Sequence, residues 1–203
     1  MRTVFVIGGM GSGKSTVAQF LAGFGAAVLD LDRVGHEALR EAAVRDALVR
    51  AFGDDILDEA GAVDRPALAA HAFATSAATD LLTAATQPAI TAALCGWLTA
   101  RRGEGIGVAV VEASAFDGAK DRYAGHADYL VAVCAPVEAR VRRAVAKGFS
   151  EADVRRRIAQ QPSDEDRRAW ADFVIENKGS RAALKACAAD LWGRINDGAA
   201  HSS

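Results

Sequence analysis

Apolar residues along this chain follow two rhythms. Short runs that are apolar at nearly every position occur at Val4-Phe5-Val6-Ile7, Ala26 to Leu29, Gly105 to Val111 and Tyr129 to Val133. Runs of that length and bulk predict strands of a parallel sheet covered on both faces. Ala171 to Asn177 predicts a last strand. Longer stretches between them carry helical spacing. Val17 to Leu21 predicts a helix ending near Gly23 or Gly25, with Gly25 as its C-terminal glycine. Val34, Ala38, Leu39, Ala42, Val44, Leu48 and Val49 predict helix across 34–50, continuous or interrupted. Phe52 to Ile56 reads as a turn and Leu57 to Val63 as a polar loop. Asp64-Arg65-Pro66 opens another helix, with Pro66 in its first turn and Leu68, His71 and Phe73 continuing it. A helix around Leu81 and Leu82 leads to Thr86-Gln87-Pro88-Ala89-Ile90, and a further helix runs to about Arg101. Ala115 to Gly125 reads as loop or short helix. Leu184, Leu191, Trp192 and Ile195 mark a terminal helix over 180–197, followed by a frayed tail, Gly198 to Ser203. Strands alternating with helices predict an α/β fold: one domain over 1–203, a parallel sheet flanked by helices, with a helical insertion at about 60–100.

The first strand runs into Gly8-Gly9-Met10-Gly11-Ser12-Gly13-Lys14-Ser15-Thr16, and a helix follows at once. Strand, glycine-rich loop and helix give the G-x-x-x-x-G-K-[ST] pattern its physical context. Glycines let the backbone wrap a polyphosphate and approach it closely. The helix adds its unpaired N-terminal donors and its dipole. Lys14 is placed to reach the β- and γ-phosphates, and the Ser15 hydroxyl to ligate Mg²⁺. The motif predicts a P-loop NTPase fold that binds a nucleoside triphosphate with Mg²⁺ through Gly11, Ser12, Gly13, Lys14, Ser15 and Thr16. It is silent on what receives a phosphate.

Composition narrows the partners. At 203 residues, half of them hydrophobic, the chain can bury a sizeable core. A formal charge of -2 gives no reason to expect nucleic acid or a membrane surface. Cys95, Cys134 and Cys187 have no metal or redox spacing, which fits reduced, buried thiols in a cytosolic protein. No stretch reads as long and apolar enough to span a membrane. The chain enters its first strand too early for a signal peptide. A monomer or weak oligomer is expected.

Several charged residues sit where a parallel sheet presents its C-terminal edge, the side on which such sheets bind ligands. Asp30 and Asp32 end the second strand; they share a face if the strand continues, and begin a helix if it does not. Asp30 fits a helix cap, and Asp32 fits cap and catalyst together. Glu112 ends the third strand, either beside a metal or simply in solvent. His71 reads as a surface or packing histidine. The stretch Val137 to Arg157 is strongly basic, with Arg140, Arg142, Arg143, Lys147, Arg155, Arg156 and Arg157. Lys147 to Glu151 divides it into two helices, the second capped by Ser150. Two basic helices with a joint, over about 138–165, predict a lid that closes over phosphates.

The assembled motifs resemble the dephospho-CoA kinase family over nearly the whole length. The loop is similar to that family's T-G-G-I-G-S-G-K-S. Val28-Leu29-Asp30-Leu31-Asp32 is similar to its V-I-D-A-D. Phe52-Gly53, Ile56, Gly61-Ala62-Val63-Asp64-Arg65, Leu68 and Phe73 follow its F-G…I…G-x-L-D-R-x-x-L…F, and Gln87-Pro88-Ala89-Ile90 its H-P-x-I. Arg157-Ile158-Ala159-Gln160-Gln161 and Ala171 to Gly179 match its R-I-x-x-Q and A-D-x-V-I-x-N-x-G. The resemblance implies transfer of the ATP γ-phosphate to the ribose 3′-hydroxyl of dephospho-CoA, the last step of coenzyme A synthesis. It implies Lys14 and Asp32 as catalytic residues, Asp32 facing the 3′-hydroxyl as general base. It implies Arg142 and Asn177 near the adenine, and Asp32, His36, Arg65 and Gln87 on the acceptor side.

The departures lie on the acceptor and lid side. His36 and Gln87 stand where the family has Arg and His, Glu112-Ala113-Ser114-Ala115-Phe116 where it has P-L-L-x-E, and Ala146 where it has a lid arginine. About three residues are inserted before the next strand. Lysine at 147 is not equivalent to arginine at a bidentate phosphate contact. Two alternatives therefore stand beside the first reading: a kinase of the same fold acting on another nucleoside or small alcohol, or a nucleotide-binding protein that has lost transfer.

Overall fold

The computed structural model describes residues 1–118 and 121–197. The tail from Gly198 lies outside the described residues, as does part of the loop expected over 115–125. Five strands form: β1 (Arg2–Ile7), β2 (Ala27–Asp30), β3 (Val108–Ala113), β4 (Tyr129–Cys134) and β5 (Phe173–Glu176). All pair in parallel, in the order β2-β3-β1-β4-β5. Helices carry each connection between consecutive strands except that from β3 to β4, where the described residues form only a short 3-10 turn at Ala124–His126. The connecting helices are α1 (Lys14–Gly23), α2 (Leu31–Ala38), α3 (Ala42–Phe52), α4 (Arg65–Ala72), α5 (Ser76–Gly103), α6 (Val137–Val145), α7 (Glu151–Gln160) and α8 (Asp164–Trp170), and α9 (Arg181–Asp197) closes the described chain.

The chain divides into two compact units, one of residues 1–30 and 100–203, the other of residues 31–99. In the first, alternate strand residues serve opposite faces. Val4, Val6, Val108, Val110, Val131, Val133, Phe173 and Ile175 meet Val17 and Leu21 of α1 and Leu184, Leu191 and Ile195 of α9. Phe5 points the other way, its ring 6.2 Å from that of Phe116. Two aspartates align the strands from outside: Asp128 accepts from the Thr3 N–H and Asp172 from the Leu130 N–H, each at 2.7 Å. Gly25 ends α1 as expected. Its φ of 114° lies in the left-handed region, and the amides of Gly25 and Ala26 turn back to the carbonyls of Ala22 and Leu21.

The second unit is helical around Val44, Leu48, Ile56, Leu68 and Ala72. Asp64 caps α4, accepting from the Ala67 N–H at 3.1 Å, and Pro66 sits in the first turn. His71 pairs with Asp55 at 2.8 Å, a packing and surface role. The helix expected over 34–50 is interrupted at 39–41.

Of the two readings left open at Asp30 and Asp32, the helical one holds: the strand ends at Asp30 and α2 begins at Leu31, so Asp32 lies in a first helical turn. The sequence expectations need correcting at three points. Pro88 does not separate two helices. It sits inside the single 28-residue α5. Proline removes the bond to the carbonyl four residues back, here Ala84. Both residues are exposed, so water can take the freed oxygen. Leu82, Ala85 and Ala89 pack on the unit's core, and Leu94 and Leu98 are buried further along. The same continuity overturns the expectation that no stretch is long and apolar enough to cross a membrane: α5 meets that test by length and composition. Thirdly, α8 forms where no helix was expected. Its signature is Ser163 with Asp166, a capping box in which each side chain bonds the other residue's backbone N–H.

Leu21 is fully buried between the sheet and α9. Leu21→Ala is expected to cost about 2–5 kcal/mol of stability, read from the urea midpoint. A loss under about 1 kcal/mol would mean that α1 is not clamped in this core.

Candidate active site

The loop of residues 8–13 joins β1 to α1 at the C-terminal edge of the sheet. Gly13 takes the cap position with φ 106°. Lys14 opens the helix, and its side chain is buried, with Nζ 3.5 Å from the Gly9 carbonyl. Ser12 is fully buried, and its hydroxyl has no hydrogen-bond partner among the described residues. Gly11 has φ 75° and lies directly against the backbone of Arg140, so a side chain here would meet both a strained dihedral and a neighbouring main chain.

Ser15 donates to Glu112 Oε1 at 2.6 Å. This bond joins the first turn of α1 to the end of β3. Glu112 is buried and not a solvated strand end. It sits in register with Val6 of β1 and with Asp30 of β2. A hydroxyl and a carboxylate side by side are hard oxygen donors, the kind Mg²⁺ takes. Among the described residues no group of three or more His, Cys, Asp or Glu could hold a metal ion. Mg²⁺ keeps water and phosphate oxygens in its shell and needs only one or two protein ligands, which the Ser15 hydroxyl and the Glu112 carboxylate can be. The residues present therefore fit the ion.

Behind the loop stand residues that sequence reasoning did not assign to it. Arg140 Nε donates to the Met10 carbonyl at 2.9 Å. Gln161 Oε1 accepts from the Met10 N–H at 2.9 Å and from Arg140 Nη2 at 3.3 Å. Arg143 Nη1 donates to the carbonyls of Gly11 and Ser12, both at 3.3 Å. Arg140 is buried, which lowers its pKa, and Asp164 at 3.5 Å opposes the shift. Asp164 also pairs with the buried Arg167 at 3.1 Å and accepts from the Ala135 N–H at 3.0 Å. Burial, and then Asp164, push the nearby Cys134 thiol up to about 11.

Asn177 and Arg142 are placed differently from each other. The Asn177 amide is buried against the loop: Nδ2 donates to the Ser12 carbonyl at 2.7 Å, and Oδ1 accepts from Arg143 Nη2 at 3.2 Å. Arg142 is exposed on α6. The signal for Arg140 and Arg143 was the charge run itself, which cannot say which arginines turn inward. In α6 the buried positions are Arg140, Val141 and Ala144, which set the inward face. The arginines of α7 face outward and pair with acids, Arg155 with Glu138 and Glu151, Arg156 and Arg157 with Asp153. Ser150 caps α7 as expected, accepting from the Asp153 N–H at 3.2 Å.

In the helical unit, the acceptor-side candidates gather on three helices. Asp32 and His36 are one turn apart on α2, both exposed. Arg65, from the start of α4, donates to His36 Nε2 at 2.6 Å, since a guanidinium carries donors only. Ile90 of α5 packs at Gly35, 3.6 Å from where a β-carbon would stand. Gln87, one turn before Ile90, bonds Thr91 at 3.0 Å.

Known proteins agree on the family. The family model described as dephospho-CoA kinase matches residues 2–183. The chain is similar to a dephospho-CoA kinase of Corynebacterium diphtheriae, 40% identical over 199 residues and covering 96% of this chain and 98% of that one. It is similar to the crystal structure of TT1252 from Thermus thermophilus, with TM-score 0.82, 29% identity and 97% of each chain covered. The dephospho-CoA kinase from Campylobacter jejuni shares the fold, with TM-score 0.71 and 22% identity over 98% of this chain and 99% of that one. With the phosphate loop intact and the match running through both units, the chain belongs to the dephospho-CoA kinase family.

Proposed function

We propose that this kinase transfers the γ-phosphate of ATP to the ribose 3′-hydroxyl of dephospho-CoA, giving CoA and ADP. The observation that carries the reading is the intact loop, with Lys14 buried at its mouth and Ser15 bonded to Glu112, in a chain of this family. Phosphoryl transfer asks the protein mainly to position two reactants and to neutralise charge. The loop amides and the N-terminus of α1 hold the phosphates. Lys14 places its ammonium on the β- and γ-oxygens. Ser15 and Glu112 would hold Mg²⁺, which when bound would supply further neutralisation of phosphate charge. Asp32 orients the 3′-hydroxyl and accepts its proton as the oxygen attacks phosphorus and ADP leaves. The acceptor carries a diphosphate, so cations are needed on its side too. Arg65, steadied by His36, supplies one, and Gln87 supplies an uncharged hydrogen-bonding contact. At 36 and 87 the change of residue type alters these contacts without removing polar groups, which supports dephospho-CoA over a different acceptor.

Purified protein with Mg²⁺-ATP should release ADP far faster when dephospho-CoA is added, with CoA as product. ATP binding without stimulation would overturn the assignment of the acceptor. Lys14→Ala should lower kcat by at least about 10²–10³-fold, and near-normal turnover would reject its role. Asp32→Asn should lower kcat by about 10²–10⁴-fold with little change in the KM for ATP; a change confined to ATP affinity would make Asp32 a structural residue. Glu112→Gln should reduce turnover about 10–100-fold at limiting Mg²⁺ and recover in part at high Mg²⁺. A magnesium titration matching the unaltered protein would remove Glu112 from the metal site.

A further inference from the structure

We propose that Arg143, with Arg140 and Asn177, forms an outer brace that orients the loop's peptide groups, making Arg143 a positioning residue for phosphate binding. The proposal rests on the reading that this loop binds ATP. Four consecutive carbonyls, from Gly9 to Ser12, are each held by a side-chain donor. Lys14 holds Gly9, Arg140 holds Met10, and Arg143 bridges Gly11 and Ser12. Asn177 holds Ser12 a second time. A peptide unit is planar, so fixing its C=O fixes the N–H of the next residue in the opposite direction. Holding the Met10 and Ser12 carbonyls therefore aims the amides of Gly11 and Gly13 the other way. Holding the Gly11 carbonyl aims the Ser12 N–H, which bonds the Gly9 carbonyl at 3.1 Å and closes the turn.

Arg143 is the centre of the brace. Its other terminal nitrogen, Nη2, donates to both Asn177 O and Asn177 Oδ1 at 3.2 Å. One planar guanidinium thus ties the loop to the end of β5. Among the described residues Arg143 has no carboxylate partner, in contrast to Arg140 beside Asp164. Its charge is spent on neutral oxygens and is left to favour an anion at the loop. The geometry of the fork matters as much as the charge, because lysine cannot reach both sets of oxygens from one point. The brace also explains why glycine stands at 11 and 13: the backbone of Arg140 lies against Gly11, and the Asn177 amide lies against Gly13.

The test is Arg143→Gln and Arg143→Lys in the full chain, with two readouts. The first is hydrogen exchange without nucleotide. In Arg143→Gln the amides of residues 8–15 should exchange about tenfold faster, while those of β1 keep their protection. Unchanged loop exchange would overturn the brace, whatever the protein binds. The second is affinity for adenosine, AMP, ADP and ATP. The loss should grow with the number of phosphates, to about tenfold or more for ATP, and be small for adenosine. An equal loss for all four would mean that Arg143 touches the base or merely supports the fold. Arg143→Lys should fall between the two; full recovery by lysine would show that charge alone suffices and would overturn the role of the fork. If Arg143→Gln does not fold, Arg143→Lys carries both readouts. Failure of the unaltered protein to bind ATP would defeat the proposed function and not the brace, which the exchange readout decides by itself.

Discussion

The hydrogen bond from Ser15 to Glu112 is the point on which the rest of the site depends. It can form only if β3 lies beside β1 in the register that sets Val6 opposite Glu112, and if α1 starts directly after the loop. Parallel pairing brings the C-terminal ends of all strands to one edge. Both faces of β1 are buried, with Val4 and Val6 packing to one side and Phe5 to the other, and that two-sided packing holds the strand in place between β3 and β4. Core packing thus positions a polar pair some distance from the core.

Charge is handled unequally on the two helices of the basic stretch. On α7 each arginine meets a glutamate or aspartate in solvent, where such pairs contribute little to stability. On α6 two arginines are drawn against the main chain of the phosphate loop. Arg140 lies in a buried network with Gln161, Asp164 and Arg167, where removal of one partner would leave another charge stranded. The stretch read as a lid is therefore anchored along α6. The α6–α7 joint at 146–149, with Lys147, is exposed, as are the arginines of α7.

The unit of residues 31–99 gathers its polar residues by a different route. Its core is Val44, Leu48, Ile56, Leu68 and Ala72, and the polar candidates stand on α2, α4 and α5. Arg65 sits in the first turn of α4, just after the Asp64 cap, and reaches His36 on α2. The residues at 36 and 87 differ from the family pattern in what their side chains offer, while Ile90, on the same helix as Gln87, still packs at Gly35 of α2.

Much was written in local order. The strand, loop and helix around Lys14, the glycine that ends α1, the caps at Asp64 and Ser150 and the terminal helix are set by residues within a few positions of one another. Such features are legible because turn geometry, capping and periodicity are short-range. The family likewise followed from motifs spread over the length. What only the tertiary structure decided depends on residues far apart in sequence. Periodicity could not tell whether Pro88 breaks a helix, since that rests on packing to either side and on water at one carbonyl. It could not choose among Arg140, Arg142 and Arg143, because neighbours on a helix differ by about 100° in direction and only the position of the loop tells which side faces in. Glu112 could be a solvated strand end or a buried partner of the loop until β3 paired with β1 and brought it to Ser15. The sequence by itself determined the phosphate loop and the family; long-range packing decided which carboxylate and which arginines that loop receives, because their positions are properties of strand register and helix rotation.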